Sequence, residues 1–293
     1  MMKNDTPFKR FVLDYTANPT AVVAAIGMAA IILAAIFAEI VAPQNPYDLA
    51  TINILDGSLE PGSIGFDGFH YWLGSDEQGR DMYSAMIFGL RISLLVSVIA
   101  VTMAVLIGLT AGMIAAWFGG WVESVIMRIV DIQLSFPALL VALILLAILG
   151  KGVDKVIIAL VLVQWAYFAR AVRGAALVEI SKDYVMAARC AALSPARILF
   201  RHVMPNCLPP VIVIATVQIA NAIAIEAALS FLGVGVPITE PSLGLLISNG
   251  FGYLLSGRYW ISVYPGVALL VTMVLINVVG DHLRDILNPR MQK

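Results

Sequence analysis

Charge is scarce in this chain. Only 13% of its 293 residues are Asp, Glu, Lys or Arg, 60% are hydrophobic, and the mean hydropathy is +0.92. A water-soluble globule has no interior large enough to hide so much apolar side chain, so soluble classes are excluded and a bilayer is the fitting solvent. The formal net charge of −1 offers nothing to nucleic acid, and no charge run or low-complexity tract supplies a local patch. Cysteine is nearly absent. Cys190 and Cys207 are the 2 present, they show no zinc spacing, and both fall at or beside a basic stretch read below as cytoplasmic, where a disulfide is disfavoured.

The vocabulary of catalysis is missing too. There is no G-x-x-x-x-G-K-[ST] phosphate loop, no H-E-x-x-H and no G-x-S-x-G. His70, His202 and His282 lie in different segments and build no common metal site. Gly233-Val-Gly235 is too short for a nucleotide fingerprint and follows a helical run rather than a strand. No cofactor and no metal are expected, and any ATP hydrolysis has to come from another subunit.

What is present is a series of long apolar runs: 21–42, 90–118, 132–149, 153–169, 208–232 and 261–283. About 20 apolar residues cross ~30 Å of hydrocarbon, so the expectation is an all-α polytopic membrane protein with six transmembrane helices. The first run exceeds the ~7–15-residue core of a signal peptide and reads as an uncleaved span. With both termini inside, thirteen of the 18 Lys and Arg residues fall on the cytoplasmic side, and only Arg80, Arg91, Lys151, Lys155 and Arg258 remain outside. The positive-inside rule favours that orientation. The expected organisation is a cytoplasmic segment 1–20, a first span 21–42, an external loop 43–89, a core 90–283 of five spans, and a cytoplasmic tail 284–293. The core carries a cytoplasmic loop 170–206 and an external loop 233–260. Both external loops are rich in Gly, Pro, Asn and Asp.

Within the spans, Gly108-Leu-Thr-Ala-Gly112 is a G-x-x-x-G, read as close intramolecular helix packing in preference to a dimer face. Arg128 and Asp131, three apart on one face, are expected to form a local ion pair. Gln218, Asn221 and Glu226 place costly polar groups along the fifth span. Two readings stay level for them: a polar side lining a translocation path, or an interhelical hydrogen-bond network.

The stretch from Arg170 to Asn206 is the longest hydrophilic break between apolar runs, and it carries Arg170, Arg173, Lys182, Arg189, Arg197 and Arg201 against Glu179 and Asp183. Asp183 is expected to cap a short helix running through Ala192. Ser194 and Pro195 supply an N-cap and first position for a second, and Pro205 is expected to end it.

These residues resemble a known family. Tyr184-Val-Met-Ala-Ala-Arg-Cys-Ala-Ala192, followed by Ile198 and Arg201-His-Val-Met-Pro205-Asn206, is similar to the E-A-A-x-x-x-G-x9-I-x-L-P loop of binding-protein-dependent ABC importer permeases. Ala187 and Ala188 match its two alanines, while Met186 stands where the family has Glu and Ala192 where it has Gly. Ala at 192 implies a turn that does not require φ > 0. Leu73-Gly-Ser-Asp-Glu-Gln-Gly-Arg-Asp81, with Gly89-Leu-Arg91-Ile-Ser93-Leu, resembles the L-G-T-D-x-x-G-R-D…G-x-R-x-S-L signature of the dipeptide/oligopeptide/nickel group. Leu229-Ser-Phe-Leu-Gly-Val-Gly235 and Pro241-Ser-Leu-Gly244 resemble that group's L-S-F-L-G-x-G…P-S-x-G segment. Phe8-Lys-Arg-Phe11, Asn18-Pro19 and Ala42-Pro43 resemble the amino-terminal region of its C-type subunit.

The resemblance implies a type I importer permease whose two-helix loop docks in a groove of an ATPase subunit. The residues it marks are Tyr184, Ala187, Ala188, Arg189, Ala192, Ser194, Pro195, Ile198, Arg201 and Pro205. On the second helix Ile198, Leu199 and Val203 are expected to form an adhesive apolar side, with Arg197 and Arg201 on another. A helix lying on anionic lipid competes with docking, but lipid binding needs neither the turn nor the stop at Pro205. The implied partners are a homologous permease forming a heterodimer, two cytoplasmic ATP-binding subunits, an external solute-binding protein received by the outer loops, and the bilayer of the bacterial cytoplasmic membrane. Short peptides are the implied cargo, with nickel, glutathione or another small solute as the alternative. A self-contained secondary transporter is a different class of answer, disfavoured because no inverted repeat is evident. A membrane enzyme lacks a convergent catalytic set.

Overall fold

The computed structural model describes residues 7–287 except Leu49 and Ile238, and for Pro7, Phe8, Arg10 and Phe11 it describes the backbone alone. Of the resemblance at Phe8-Lys-Arg-Phe11 only the Lys9 side chain is described, and the tail beyond Leu287 lies outside the described residues. In chain order the helices begin with α1 (Pro7–Thr16), α2 (Pro19–Ile36) and the short α3 (Ala38–Val41). A small hairpin, β1 (Ser63–Ile64) with β2 (His70–Tyr71), precedes α4 (Met82–Phe118), α5 (Gly120–Leu134), α6 (Ala138–Leu149) and α7 (Val153–Ile180). Then come α8 (Asp183–Cys190), α9 (Pro195–Ile198), α10 (Met204–Phe231), α11 (Leu243–Phe251) and α12 (Trp260–Leu287).

Among the described residues, 5 helices are long and apolar enough to cross a membrane: α2, α4, α7, the continuous α9–α10 unit and α12. The run 132–149 is not the single helix expected. It is divided between α5 and α6, which meet at a 92° bend and make a sixth span when the bent pair is taken as one. Pro137 explains the break, because it has no N–H to donate and pushes Phe136 out of the α region. Gln133 anchors the bend to α7. Its Nε2 donates to the carbonyls of Leu162 and Val163, and its Oε1 accepts from Trp165 Nε1 at 2.8 Å.

Helix ends differ from the apolar runs because a run marks hydrocarbon, not hydrogen bonding. α4 starts at Met82 rather than 90, and α7 continues to Ile180 rather than stopping at 169. Arg170 and Arg173 thus sit on a helix. Each reaches α5: Arg170 pairs with Asp131, and Arg173 with Glu123. The local Arg128–Asp131 pair is replaced by this interhelical one, since α5 packs on α7 and brings a second arginine to Asp131.

The most extensive joint is α4 on α7. A Cβ on Gly108 would stand 2.7 Å from the Trp165 carbonyl oxygen, and one on Gly112 2.6 Å from that of Ala169. The G-x-x-x-G is therefore an intramolecular contact, with Ala100, Ala104 and Ala115 buried along the same helix. Large apolar side chains point outward instead, such as Val23, Ile26, Leu106 and Leu270, as a lipid-facing surface requires.

The segment before α4 is a compact knot of polar groups. Asp81 caps α4, its Oδ2 accepting from Ser84 N (2.8 Å) and Ser84 Oγ (2.6 Å). Gln44 accepts from Asp81 N at 2.8 Å and donates to the Thr51 carbonyl at 2.8 Å. Burial holds the Asp81 carboxyl above the usual carboxylate range. Asp56 accepts from Phe66 N at 2.8 Å and from the Tyr71 hydroxyl at 3.2 Å. Burial and that carboxylate push Tyr71 up to about 12. Trp260 Nε1 donates to the Ser75 carbonyl at 3.1 Å and ties the knot to α12. The later loop, 233–260, is not all irregular either: α11 buries Leu243, Leu245 and Leu246 against its neighbours.

A larger side chain at the joint has nowhere to go, and overpacking costs about 1–3 kcal/mol. Gly108→Leu is expected to lower the melting temperature of the detergent-purified chain and its yield as a single species, with Gly108→Ala intermediate. A Gly108→Leu chain that melts with the unaltered protein would show that α4 and α7 do not meet there.

Candidate functional site

The loop after α7 is built on the ends of α4, α7 and α10. Lys182 takes the N-cap of α8 and Asp183 its first position, one residue inside the expected cap, where an acid still favours the helix dipole. α8 turns Val185 and Ala188 into the core and leaves Ala187, Met186 and Arg189 exposed. Glu179, at the end of α7, is the brace. Its Oε1 meets Lys182 Nζ at 2.5 Å and its Oε2 accepts from the Tyr184 hydroxyl at 2.8 Å. Asn206 at the start of α10 donates to the Tyr184 oxygen at 3.3 Å and to the His202 carbonyl at 2.8 Å. Burial, followed by Glu179, raises the pKa of Tyr184. Across the loop, the Arg189 guanidinium lies 4.8 Å from the Trp117 ring centroid near the end of α4.

α8 ends at Cys190, not Ala192, and closes on a Schellman pattern. Leu193 N donates to the Ala188 carbonyl at 3.2 Å and Ala192 N to the Arg189 carbonyl at 2.9 Å. That geometry puts Ala192 at φ 54°, against the expectation of a turn free of φ > 0. The closing hydrogen bonds fix the backbone, and alanine takes the left-handed conformation that glycine occupies without a Cβ penalty. Ser194 and Pro195 stand at the N-cap and first position of α9, as expected.

Two other expectations change. Pro205 does not end the second helix. A π turn over Leu199–Val203, closed by Met204 N on the Leu199 carbonyl, leads directly into α10. Pro205 then falls in the first turn of α10, directly after the π turn and inside one continuous helical run. Ile198, Leu199 and Val203 do not form an outward adhesive side, since they are 1%, 9% and 0% exposed inside the chain's own core. Because α9 runs on into a span, its apolar side is turned toward the bundle. The exposed large apolar side chains of the loop are Met186 and Phe200, at 61% and 58%, and Arg197 and Arg201 are exposed with them.

Of the three polar residues on α10, the structure brings two together. Asn221 Nδ2 donates to Gln218 Oε1 at 2.7 Å, with Asn221 exposed near the middle of the helix and Gln218 buried. Gln164 on α7, which the sequence reading passed over, donates to the Gln218 carbonyl at 3.3 Å. Glu226 is separate and fully enclosed. Its oxygens accept from Ser93 Oγ on α4 and Ser230 Oγ, each at 2.7 Å, so here it ties helices and opens on no cavity. Glu179 could have been suspected from its spacing to Lys182 and Tyr184, but nothing in the sequence links Trp117 to Arg189. Among the described residues no three His, Cys, Asp or Glu gather in a metal-ligating group.

A bundle of this kind, with a braced two-helix loop resting on three span ends, defines the membrane-spanning half of a transporter. Residues 108–293 match the family described as binding-protein-dependent transport system inner membrane component, and residues 6–61 match the N-terminal transmembrane domain of oligopeptide transport permease C. The chain belongs to this family of ABC importer permeases, whose members are multi-pass inner-membrane proteins. It is 42% identical over 289 residues to the dipeptide transport system permease protein DppC of Escherichia coli (strain K12), covering 98% of this chain and 95% of that one. It is 35% identical to the di/tripeptide transport system permease protein DppC of Pseudomonas aeruginosa (strain UCBPP-PA14), over 98% of this chain and 93% of the relative. The oligopeptide transport system permease protein OppC of Bacillus subtilis (strain 168) is 36% identical over 98% of this chain and 90% of its own length. Among solved structures, the inward-facing MetNI methionine ABC transporter matches with a TM-score of 0.57 at 21% identity, covering 71% of this chain and 97% of that chain, a likeness of fold.

The strain at Ala192 has a measurable consequence. Ala192→Gly is expected to stabilise the purified chain by about 1 kcal/mol, read as a raised melting temperature. Ala192→Val is expected to lower it. An Ala192→Gly chain less stable than the original would contradict the left-handed turn.

Proposed function

We propose that this chain is one of two related permease subunits of an ATP-driven importer of short peptides, working with two cytoplasmic ATP-binding subunits and a solute-binding protein. The observation that carries the reading is the braced loop. Glu179, Tyr184 and Asn206 lock α8 to the ends of α7 and α10, so a push on the loop is delivered to two spans rather than lost in a flexible linker. The names of the relatives from Escherichia coli, Pseudomonas aeruginosa and Bacillus subtilis support peptides as the cargo.

In this reading the loop end is cytoplasmic with both termini, which the distribution of Lys and Arg supports. The ATPase contacts the loop through Met186 and Phe200, rimmed by Arg197 and Arg201, because these side chains are turned outward while Ile198 and Val203 are not. Closure of the motors rocks the two permease halves and opens the path between them alternately to either side. Asn221 faces that path, since an exposed amide at mid-span is costly against lipid. Gln218 orients it. Glu226 contributes as a tie beside the path.

Reconstitution tests the whole. With both permeases, the ATPases and the binding protein in liposomes, peptide uptake is expected to require ATP and to vanish when the ATPase is omitted. Gradient-driven uptake by this chain alone would overturn the reading. Within the complex, Met186→Lys and Phe200→Asp are each expected to weaken ATPase co-purification and cut uptake about tenfold, the loss of roughly one hot-spot contact. Ala188 is a poor probe because it is buried in this chain. Unchanged co-purification and uptake with both outward variants would place the contact elsewhere.

A further inference from the structure

At the end of the bundle opposite the loop, a cleft of about 470 Å³ opens between the turn 76–80 and the C-terminal part of α11, within the size range of small-ligand sites. Its wall contains an arginine held in an unusual way. Arg80 is 6% exposed, and its Nε donates to Asp76 Oδ2 at 2.6 Å. The other oxygen of Asp76 is saturated by the backbone N–H groups of Gln78 and Arg80, each at 2.9 Å. The carboxylate therefore fixes one edge of the guanidinium and has nothing left for the other. Among the described residues, Arg80 Nη1 and Nη2 make no hydrogen bond.

The free Nη edge borders the cleft, and the planar fork of a guanidinium suits a carboxylate. Facing it are Glu77, which is exposed, with Gln78, Asn249 and Tyr253. Glu77 also raises the pKa of the Tyr253 hydroxyl, which marks the acid as a near neighbour of that ring. The C-terminus of α11 adds the negative end of its dipole on the same side. One wall thus offers unused cationic donors, the rim offers an anion, and two side-chain amides lie with them.

We propose that this cleft binds a short peptide in its zwitterionic form, with its terminal carboxylate on the Nη edge of Arg80 and its α-ammonium group on Glu77. Gln78 and Asn249 take the main-chain amide, whose donor and acceptor match theirs. The inference rests on the peptide-import reading, and it adds a solute site on the permease itself, distinct from Asn221 in the spans.

The test uses the assembled permease–ATPase complex in nanodiscs without the binding protein, titrated with alanyl-alanine, its C-terminal amide and its N-acetyl derivative. Binding is read by saturation-transfer NMR and calorimetry. Alanyl-alanine is expected to bind, and its amide about tenfold more weakly, the loss of one charge-assisted hydrogen-bonded contact. Arg80→Lys keeps a cation for Asp76 but removes the fork, and is expected to erase the preference for the free acid. Glu77→Gln is expected to weaken alanyl-alanine and leave N-acetyl-alanyl-alanine unchanged. Asn249→Leu, exposed and outside the ion pair, weakens both and guards against misfolding of the arginine variant. Equal binding of acid and amide, or wild-type binding by Arg80→Lys and Asn249→Leu, overturns the site. If the wild-type complex binds no peptide yet imports it once the binding protein is added, the site falls and the import reading stands. If it neither binds nor imports peptide, both fall.

Discussion

The contact between α4 and α7 carries the rest of the molecule. In hydrocarbon no hydrophobic effect drives one apolar helix onto another, so association depends on close packing and on polar groups paired between helices. Gly108 and Gly112 allow the backbones of these two helices to touch. The consequences run to both ends. Trp117 near the end of α4 receives Arg189, and Glu179 near the end of α7 holds Tyr184. At the other end the N-cap of α4 is Asp81, which joins the helix to the polar knot of the preceding segment.

The same constraint explains where polar side chains occur. Three of them bridge elements: Gln133 spans the α5–α6 break and α7, Gln164 joins α7 to α10, and Glu226 joins α10 to α4. An unpaired polar group in lipid costs several kcal/mol in order of magnitude, so these bridges fix helix pairing as firmly as the apolar packing does. Asn221 and the outer edge of Arg80 differ from these bridges, because each keeps donors unpaired at a position that is open: Asn221 is exposed and Arg80 lines a cleft. That is why one is assigned to a path and the other to a solute.

The two-helix loop combines rigidity with departures from its family's pattern. Ala192 accepts a left-handed backbone that glycine would adopt without strain, and the Schellman bonds hold it there. Met186 stands at an exposed position where the family pattern has an acid, making that part of the loop's surface apolar rather than charged. Neither departure disturbs the brace, which rests on Glu179, Tyr184 and Asn206.

The apolar runs by themselves determined the class of the protein and roughly where its long helices lie, because burial in lipid is a property of composition read over ~20 residues. The glycine spacing and the Ser194-Pro195 start were legible because each is a short local pattern, although the helix that the glycines meet was not. The partner of Asp131, the inward turn of Ile198 and Val203, the passage of the chain through Pro205 and the enclosure of Glu226 were decided only by the tertiary structure. Each depends on how two helices are rotated and set against each other. Periodicity within one helix states which residues share a face, but it does not state which neighbour that face meets.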